Sequence, residues 1–419
     1  MRPVVNRMST VWQSATVITA GMESVDGLLE DAVSSGRVSG VVAMASTPGC
    51  DTYTGAYGAS CREGTARVGL DTIFEISWLV RPIMTVAALR LVDSGRLDLD
   101  EPIGGVIPGM RAPHRLAGFD RTGNPVLRPV RRALTLRTLL SHTSGMNGGS
   151  WGDAMLRPEG WQDLSERIAA MPLLFDPGTR WHHSGDLGLV GVLIERVTGM
   201  PVAEYLRRAV FETLGMRDTG FYVEYNSRRR VAGGWRGLAS TPGETPFYST
   251  PQDYFSFVQA VLRRDAALLS GTSLDLVDRN QIGALTVPKS LRLSSVRAPN
   301  EVNFYPEIKL YPSTPCKWSL GFMVSAGAVD GGPRAGSLTC AAPAKAYCWI
   351  DPRSGVAGLL FARRSPGYPD LVDSLFADLQ SWVYREHAER EPAARPKKHV
   401  LEWLFDGWSK EAWMTWWPM

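Results

Sequence analysis

Short apolar, β-branched runs sit near the two ends of this chain, and the long middle between them carries helical spacing. At the start, Val25, Leu28, Leu29, Ala32 and Val33 repeat at helical intervals over residues 23–35, and Gly36 stops the pattern. A strand-like run at 38–45, a Pro48-Gly49 turn and a second run at 53–59 follow. Strand-like runs return only at 321–324, 346–350 and 356–361, before a final helix over 369–387. Between them, Phe74-Glu75-Ile76-Ser77 leads into a long apolar helix from Pro82 to Asp93, ended by Ser94-Gly95. Turn-rich stretches occupy 102–113 and 118–129, and further helices are expected at 136–140, 161–170, 187–198 and 202–210. Strands this far apart bury their faces only by joining one sheet, so the pattern predicts an α+β fold with a helical insertion.

That pattern divides the chain into a leader at 1–21 and a main domain at 22–390. Its sheet part is about 22–75 and 315–390, and its helical part about 76–314. A tail at 391–419, rich in tryptophan, is expected to pack back on the domain. A formal net charge of +3 with dispersed basic residues gives no electrostatic footprint for nucleic acid. The five cysteines lack CxxC or His-Cys spacing, so neither a disulfide scaffold nor a metal site is expected. No cofactor motif is present, and no segment has the continuous apolar length of a signal peptide or membrane span. A cytoplasmic protein acting on a small molecule, with its oligomeric state open, is the expectation.

Several phrases carry a resemblance. They include Phe74-Glu75-Ile76, Leu91-Val92-Asp93-Ser94-Gly95-Arg96-Leu97-Asp98 and Leu139-Leu140-Ser141-His142-Thr143-Ser144-Gly145. Pro177-Gly178-Thr179-Arg180-Trp181, Phe211-Glu212-Thr213-Leu214-Gly215-Met216 and Ser249-Thr250-Pro251-Gln252-Asp253-Tyr254 follow in order. In sequence and order these resemble the serine β-lactamase-related superfamily: class C β-lactamases, penicillin-binding proteins, family VIII esterases and lovastatin-type transesterases. The resemblance implies a β-lactamase/transpeptidase-like fold, an antiparallel sheet flanked by helices plus a helical subdomain. It also implies a serine nucleophile at the start of the long helix, a lysine one turn later, a tyrosine from the helical part and an oxyanion site at an edge strand.

Laid on F-x-I-x-S-x-x-K-P without a gap, this sequence places Trp78 at the serine position and Arg81 at the lysine position. The tyrosine position falls on His183 in Trp181-His182-His183-Ser184, and the edge-strand motif on Cys340-Ala341-Ala342 with Lys345 after it. Indole has no nucleophilic oxygen, and guanidinium stays protonated at physiological pH. Trp78 reads either as a core plug or as a stacking wall, and Arg81 as the partner of an internal carboxylate or of a ligand anion. His183 is the acid–base candidate, because imidazole titrates near neutrality. Ser77 reads as a helix N-cap or a displaced nucleophile, Cys340 as a small buried hydrophobe or a thiolate, and Lys345 as a solvated side chain or as positive charge at the pocket mouth. His142 is assigned no chemistry. The expected function is non-covalent acid–base catalysis (cyclisation, isomerisation or elimination) on a small metabolite, with His183 and Arg81 catalytic. The alternatives are a non-catalytic pseudoenzyme that binds a ligand or partner, and a residual esterase or acyltransferase using Ser77 or Cys340.

Overall fold

The computed structural model describes residues 22–60, 66–122, 124–146, 171–183, 186–233, 246–288, 294–298, 301–304, 314–342, 345–364 and 371–390. The leader 1–21, the segment 161–170 and the tail 391–419 lie outside the described residues.

The first helix, α1 (Met22–Ser34), buries Val25, Leu29 and Ala32, one stripe at helical spacing. Gly36, at φ +74°, ends it and turns the chain into the sheet. The sheet has seven strands: β1 (Val38–Ser46), β2 (Tyr53–Gly58), β3 (Cys316–Trp318), β4 (Met323–Ser325), β5 (Leu338–Ala342), β6 (Ala346–Asp351) and β7 (Val356–Arg364). Its order is β2-β1-β7-β6-β5-β4-β3, and every neighbouring pair is antiparallel. The first and last strand groups thus meet at the β1–β7 ladder, where Ala43 pairs with Leu360.

Both faces of the sheet are covered. On β6, Tyr347 and Trp349 share one face because side chains alternate along a strand, and both rings pack on Phe376 of α5 (Leu371–Arg390). On β7, Phe361 points to the other face, where it meets Phe74 and Tyr254 of α4 (Pro251–Leu262). Gly358 sits opposite Trp349 in the ladder, and a Cβ there would lie 2.2 Å from the Trp349 ring, so this position has to stay bare.

The long helix α2 (Val80–Asp93) buries eleven named residues on all sides, which makes it the central post of the helical part. It begins two residues before Pro82, behind a 3-10 turn at Ser77–Leu79, and Pro82 stays within the first turn, where its missing N–H costs nothing. Helix α3 (Asp186–Thr198) packs against it. Two details depart from the sequence pattern. The turn-rich stretch before Leu134 holds a hairpin, His114–Phe119 with Pro125–Pro129, and α4 occupies a stretch that apolar periodicity had not marked. The strand of Cys340 also lies inside the sheet, between β4 and β6, and not at its edge, because β3 and β4 extend the sheet beyond it. Among the described residues no helix is long and apolar enough to cross a membrane, and no group of three or more His, Cys, Asp or Glu side chains is placed to hold a metal ion.

Candidate active site

The entry to α2 is held from two sides. Phe74–Glu75 pairs with Tyr248–Ser249, and the Ile76 and Ser77 N–H groups both donate to the Phe247 carbonyl, at 2.7 and 3.3 Å. The Tyr254 hydroxyl donates to the Leu79 carbonyl at 2.9 Å. Clamped in this way, Ser77 takes φ +37°, a region that non-glycine residues seldom occupy and that is costly to hold. The Ser77 hydroxyl donates to Glu75 Oε1 at 3.3 Å, and the helix-capping position falls on Ile76, so the N-cap reading of Ser77 is corrected.

The next residue starts the cluster. The Trp78 indole lies 4.3 Å, centroid to centroid, from the His183 imidazole, and the Arg81 guanidinium carbon sits 4.6 Å from the indole centroid. Trp78, Arg81 and His183 are all more than nine-tenths buried. His183 stacks in turn on His142, at 5.0 Å with 29° between the ring planes. Behind His142, its Nδ1–H meets the Asp186 carboxylate at 2.8 Å, and the Ser144 hydroxyl donates to the other oxygen of Asp186. Trp318 of β3 meets His142 edge-on at 4.9 Å, and Trp181 lies 5.3 Å from Trp318 and 6.3 Å from His183.

The chain around His183 explains why it, and not His182, enters the cluster. The His182 N–H donates to the His142 carbonyl at 2.9 Å, and its ring turns instead to Phe175. Burial, and then the Arg81 charge, pushes His183 well below the ordinary histidine range, so it is neutral at neutral pH. His142 is also lowered by burial, but the hydrogen bond it donates to Asp186 opposes that shift. The Nε2 of His183 and the indole N–H groups of Trp181 and Trp318 are buried with no hydrogen-bond partner among the described residues. Buried polar groups in folded proteins are paired as a rule, so such a concentration calls for an explanation.

The sequence expectations divide on this geometry. Trp78, Arg81 and His183 come together. Cys340 reaches the same turn, its thiol 3.8 Å from the Trp78 carbonyl, but burial pushes that thiol up to about 12 against the smaller opposing effect of Arg81. The thiolate reading is therefore corrected: this sulfur is a small buried hydrophobe. Lys345 does not line a pocket mouth. It is 2% exposed at φ +67° and its ammonium bonds Asp373 of α5 at 3.0 Å, which removes it from the cluster. His142, assigned no chemistry from sequence, is in the cluster, together with Asp186 and Trp318. The readable signal was Asp186 ahead of the apolar run 187–194 of its helix, since a carboxylate is seldom so buried without a partner.

With this geometry in place, the chain was compared with known proteins. Residues 25–380 match the Beta-lactamase family. The chain belongs to that family. ML-236A carboxylate methylbutanoyltransferase of Penicillium citrinum is 25% identical, over 92% of this chain and 99% of its own length. Lovastatin esterase of Penicillium rubens is also 25% identical, over 87% and 98%. Among solved structures, an engineered simvastatin synthase from Aspergillus terreus superposes with a TM-score of 0.73 at 24% identity, over 88% of this chain and all of that one. The fold is thus β-lactamase/transpeptidase-like, as the sequence phrases implied. One expectation is overturned. Cyclisation, isomerisation or elimination does not stand, because the relatives that match nearly end to end are named for acyl transfer and ester cleavage.

Proposed function

We propose that this protein acts on acyl esters of small, largely apolar metabolites, by acyl transfer or hydrolysis in natural-product metabolism. The near end-to-end match to acyltransferases and an esterase supports the substrate class. The free thiols of Cys316, Cys340 and Cys348 support a cytoplasmic setting. The route is direct. On the ungapped reading that sets Trp78 and Arg81 at the family's serine and lysine positions, the acyl group passes to its acceptor without first joining the protein.

The observation that carries this route is the buried Nε2 of a neutral His183, without a hydrogen-bond partner among the described residues, beside the Arg81 charge. A water or alcohol O–H attacks the ester carbonyl carbon while His183 Nε2 takes its proton. The carbonyl oxygen becomes an oxyanion and the Arg81 guanidinium stabilises it. The C–O bond to the leaving group then breaks, and the proton on His183 passes to the departing alkoxide. Arg81 lowers the proton affinity of His183 in the resting site, and the oxyanion offsets that effect as it forms, so the pair favours the transition state over the ground state. Trp78 walls the site and presents an apolar face to the acyl chain.

A second reading is favoured by the packing of Trp78 directly against His183. In it, the cluster is a binding site without turnover, a pseudoenzyme that has given up the family's serine. A panel of acyl esters and acyl thioesters, followed by product chromatography, separates the two. Direct transfer predicts turnover that falls roughly 10²-fold in both His183→Ala and Arg81→Ala. Full activity in those variants overturns the site assignment, and ligand binding with no turnover in the wild type favours the second reading.

A further inference from the structure

We infer that His142 and Asp186 are positioning residues for His183: the two stacked imidazoles hold one exchangeable proton between them, and Asp186 places it on His142. The consequence for turnover rests on the proposed role of His183, whereas the placement of the proton does not.

The groups facing this pair come from four parts of the chain. Asp186 opens α3 and accepts from His142 Nδ1 at 2.8 Å. Ser144 fixes the other carboxylate oxygen, and its own hydroxyl oxygen accepts from the Met146 N–H at 2.9 Å, so the carboxylate cannot swing away. Arg81 of α2 and His182 add positive charge, and Trp78, Trp181 and Trp318 enclose the two rings without titrating. A proton arriving on His183 meets Arg81 and finds no acceptor at Nε2 among the described residues. A proton arriving on His142 is compensated by a carboxylate already bonded to the ring. With ring centroids 5.0 Å apart in a buried setting, two imidazolium charges exclude one another, so the first proton prevents the second.

The dyad therefore does two things. It holds His142 as the Nδ1–H tautomer, which fixes the ring plane that His183 stacks on. It also sets the acid limit of the site: once His142 is charged, His183 can no longer accept a proton from an attacking hydroxyl. The acid limb of kcat/KM reports His142, not His183.

Long-range 15N–1H spectra of the histidine rings across the acid range test this on the full chain, without substrate. The expected result is a first protonation at His142, with its Nδ1 proton retained throughout. Asp186→Asn moves that titration to lower pH, and the acid limb of ester turnover follows, giving several-fold higher relative activity below the wild-type limb. Ser144→Ala leaves the carboxylate in place and moves the titration the other way, which keeps the test sharp where Asp186→Asn does not fold. A first proton on His183, or a His142 titration that neither variant moves, overturns the inference. Titration as described with no ester turnover upholds the proton placement and overturns the proposed function.

Discussion

Two buried polar regions of this molecule differ in how completely they are satisfied. Under α5, Asp351 accepts from the N–H groups of Arg334, Arg353 and Ser354 at 3.0 to 3.1 Å and from the Tyr384 hydroxyl at 2.9 Å. Nearby, Asp373 takes both the Lys345 ammonium and the Tyr347 hydroxyl. Around α2, three ring N atoms in one chain of contacting side chains, on His183, Trp181 and Trp318, have no partner among the described residues. Single orphan atoms occur on the sheet side as well, at Trp349 Nε1 and Ser354 Oγ, but no group of contacting rings shares the feature there. Unequal satisfaction separates the groups that hold the fold from those proposed to meet a ligand.

The contrast breaks first at Lys345. Lys345→Ala strands the Asp373 carboxylate under α5 and should lower stability by about 3 kcal/mol in urea unfolding, because removing one member of a buried pair leaves the other uncompensated. Ester turnover by the folded fraction should not change. At the other region the signs reverse. His183→Phe keeps the ring stack and removes the orphan nitrogen, so stability should stay level or rise by about 1 kcal/mol while turnover falls roughly 10²-fold. A large stability loss in that variant would mean that His183 is a structural group like Lys345.

pH sharpens the same distinction. His183 and His142 are both held below the ordinary histidine range in the folded chain. As pH falls below about 6.5, the unfolded chain binds protons that the folded chain refuses, so stability declines from there and is fully present above it. Asp351 is also held below its ordinary range, so its contribution is lost in the same direction, but only as pH falls through the carboxylate range. Thermal unfolding of the wild type should therefore show an early loss near pH 6 that is smaller in His183→Phe. Trp318→Phe is the mildest case: stability should change by under about 1 kcal/mol, and KM for the ester should rise a few-fold with kcat unchanged if its indole N–H meets the ligand.

Much of the framework was readable in the chain. The β-branched runs at both ends and the apolar stretch after Phe74-Glu75-Ile76 became the β1–β7 ladder and α2, because local periodicity sets such elements. Helix α4 was legible by a different signal: Thr250 accepts from the Asp253 N–H with Pro251 at the first helical position, a start signal that apolar spacing does not show. Trp78, Arg81 and His183 were reachable from the family pattern. The dyad of His142 and Asp186 was not, since 44 residues separate the two and only the packing of α3 brings them together. Lys345 failed for the same reason, its charge being decided by Asp373, 28 residues further on.

On the proposed route, acyl groups pass through this site without joining the protein. Intact-protein mass spectrometry during turnover of an activated acyl ester reads this directly. Product should be released from unmodified protein, with release lost in His183→Ala. An acyl adduct that accumulates and decays at the rate of turnover, mapped to Ser77 or to any other side chain, would contradict it.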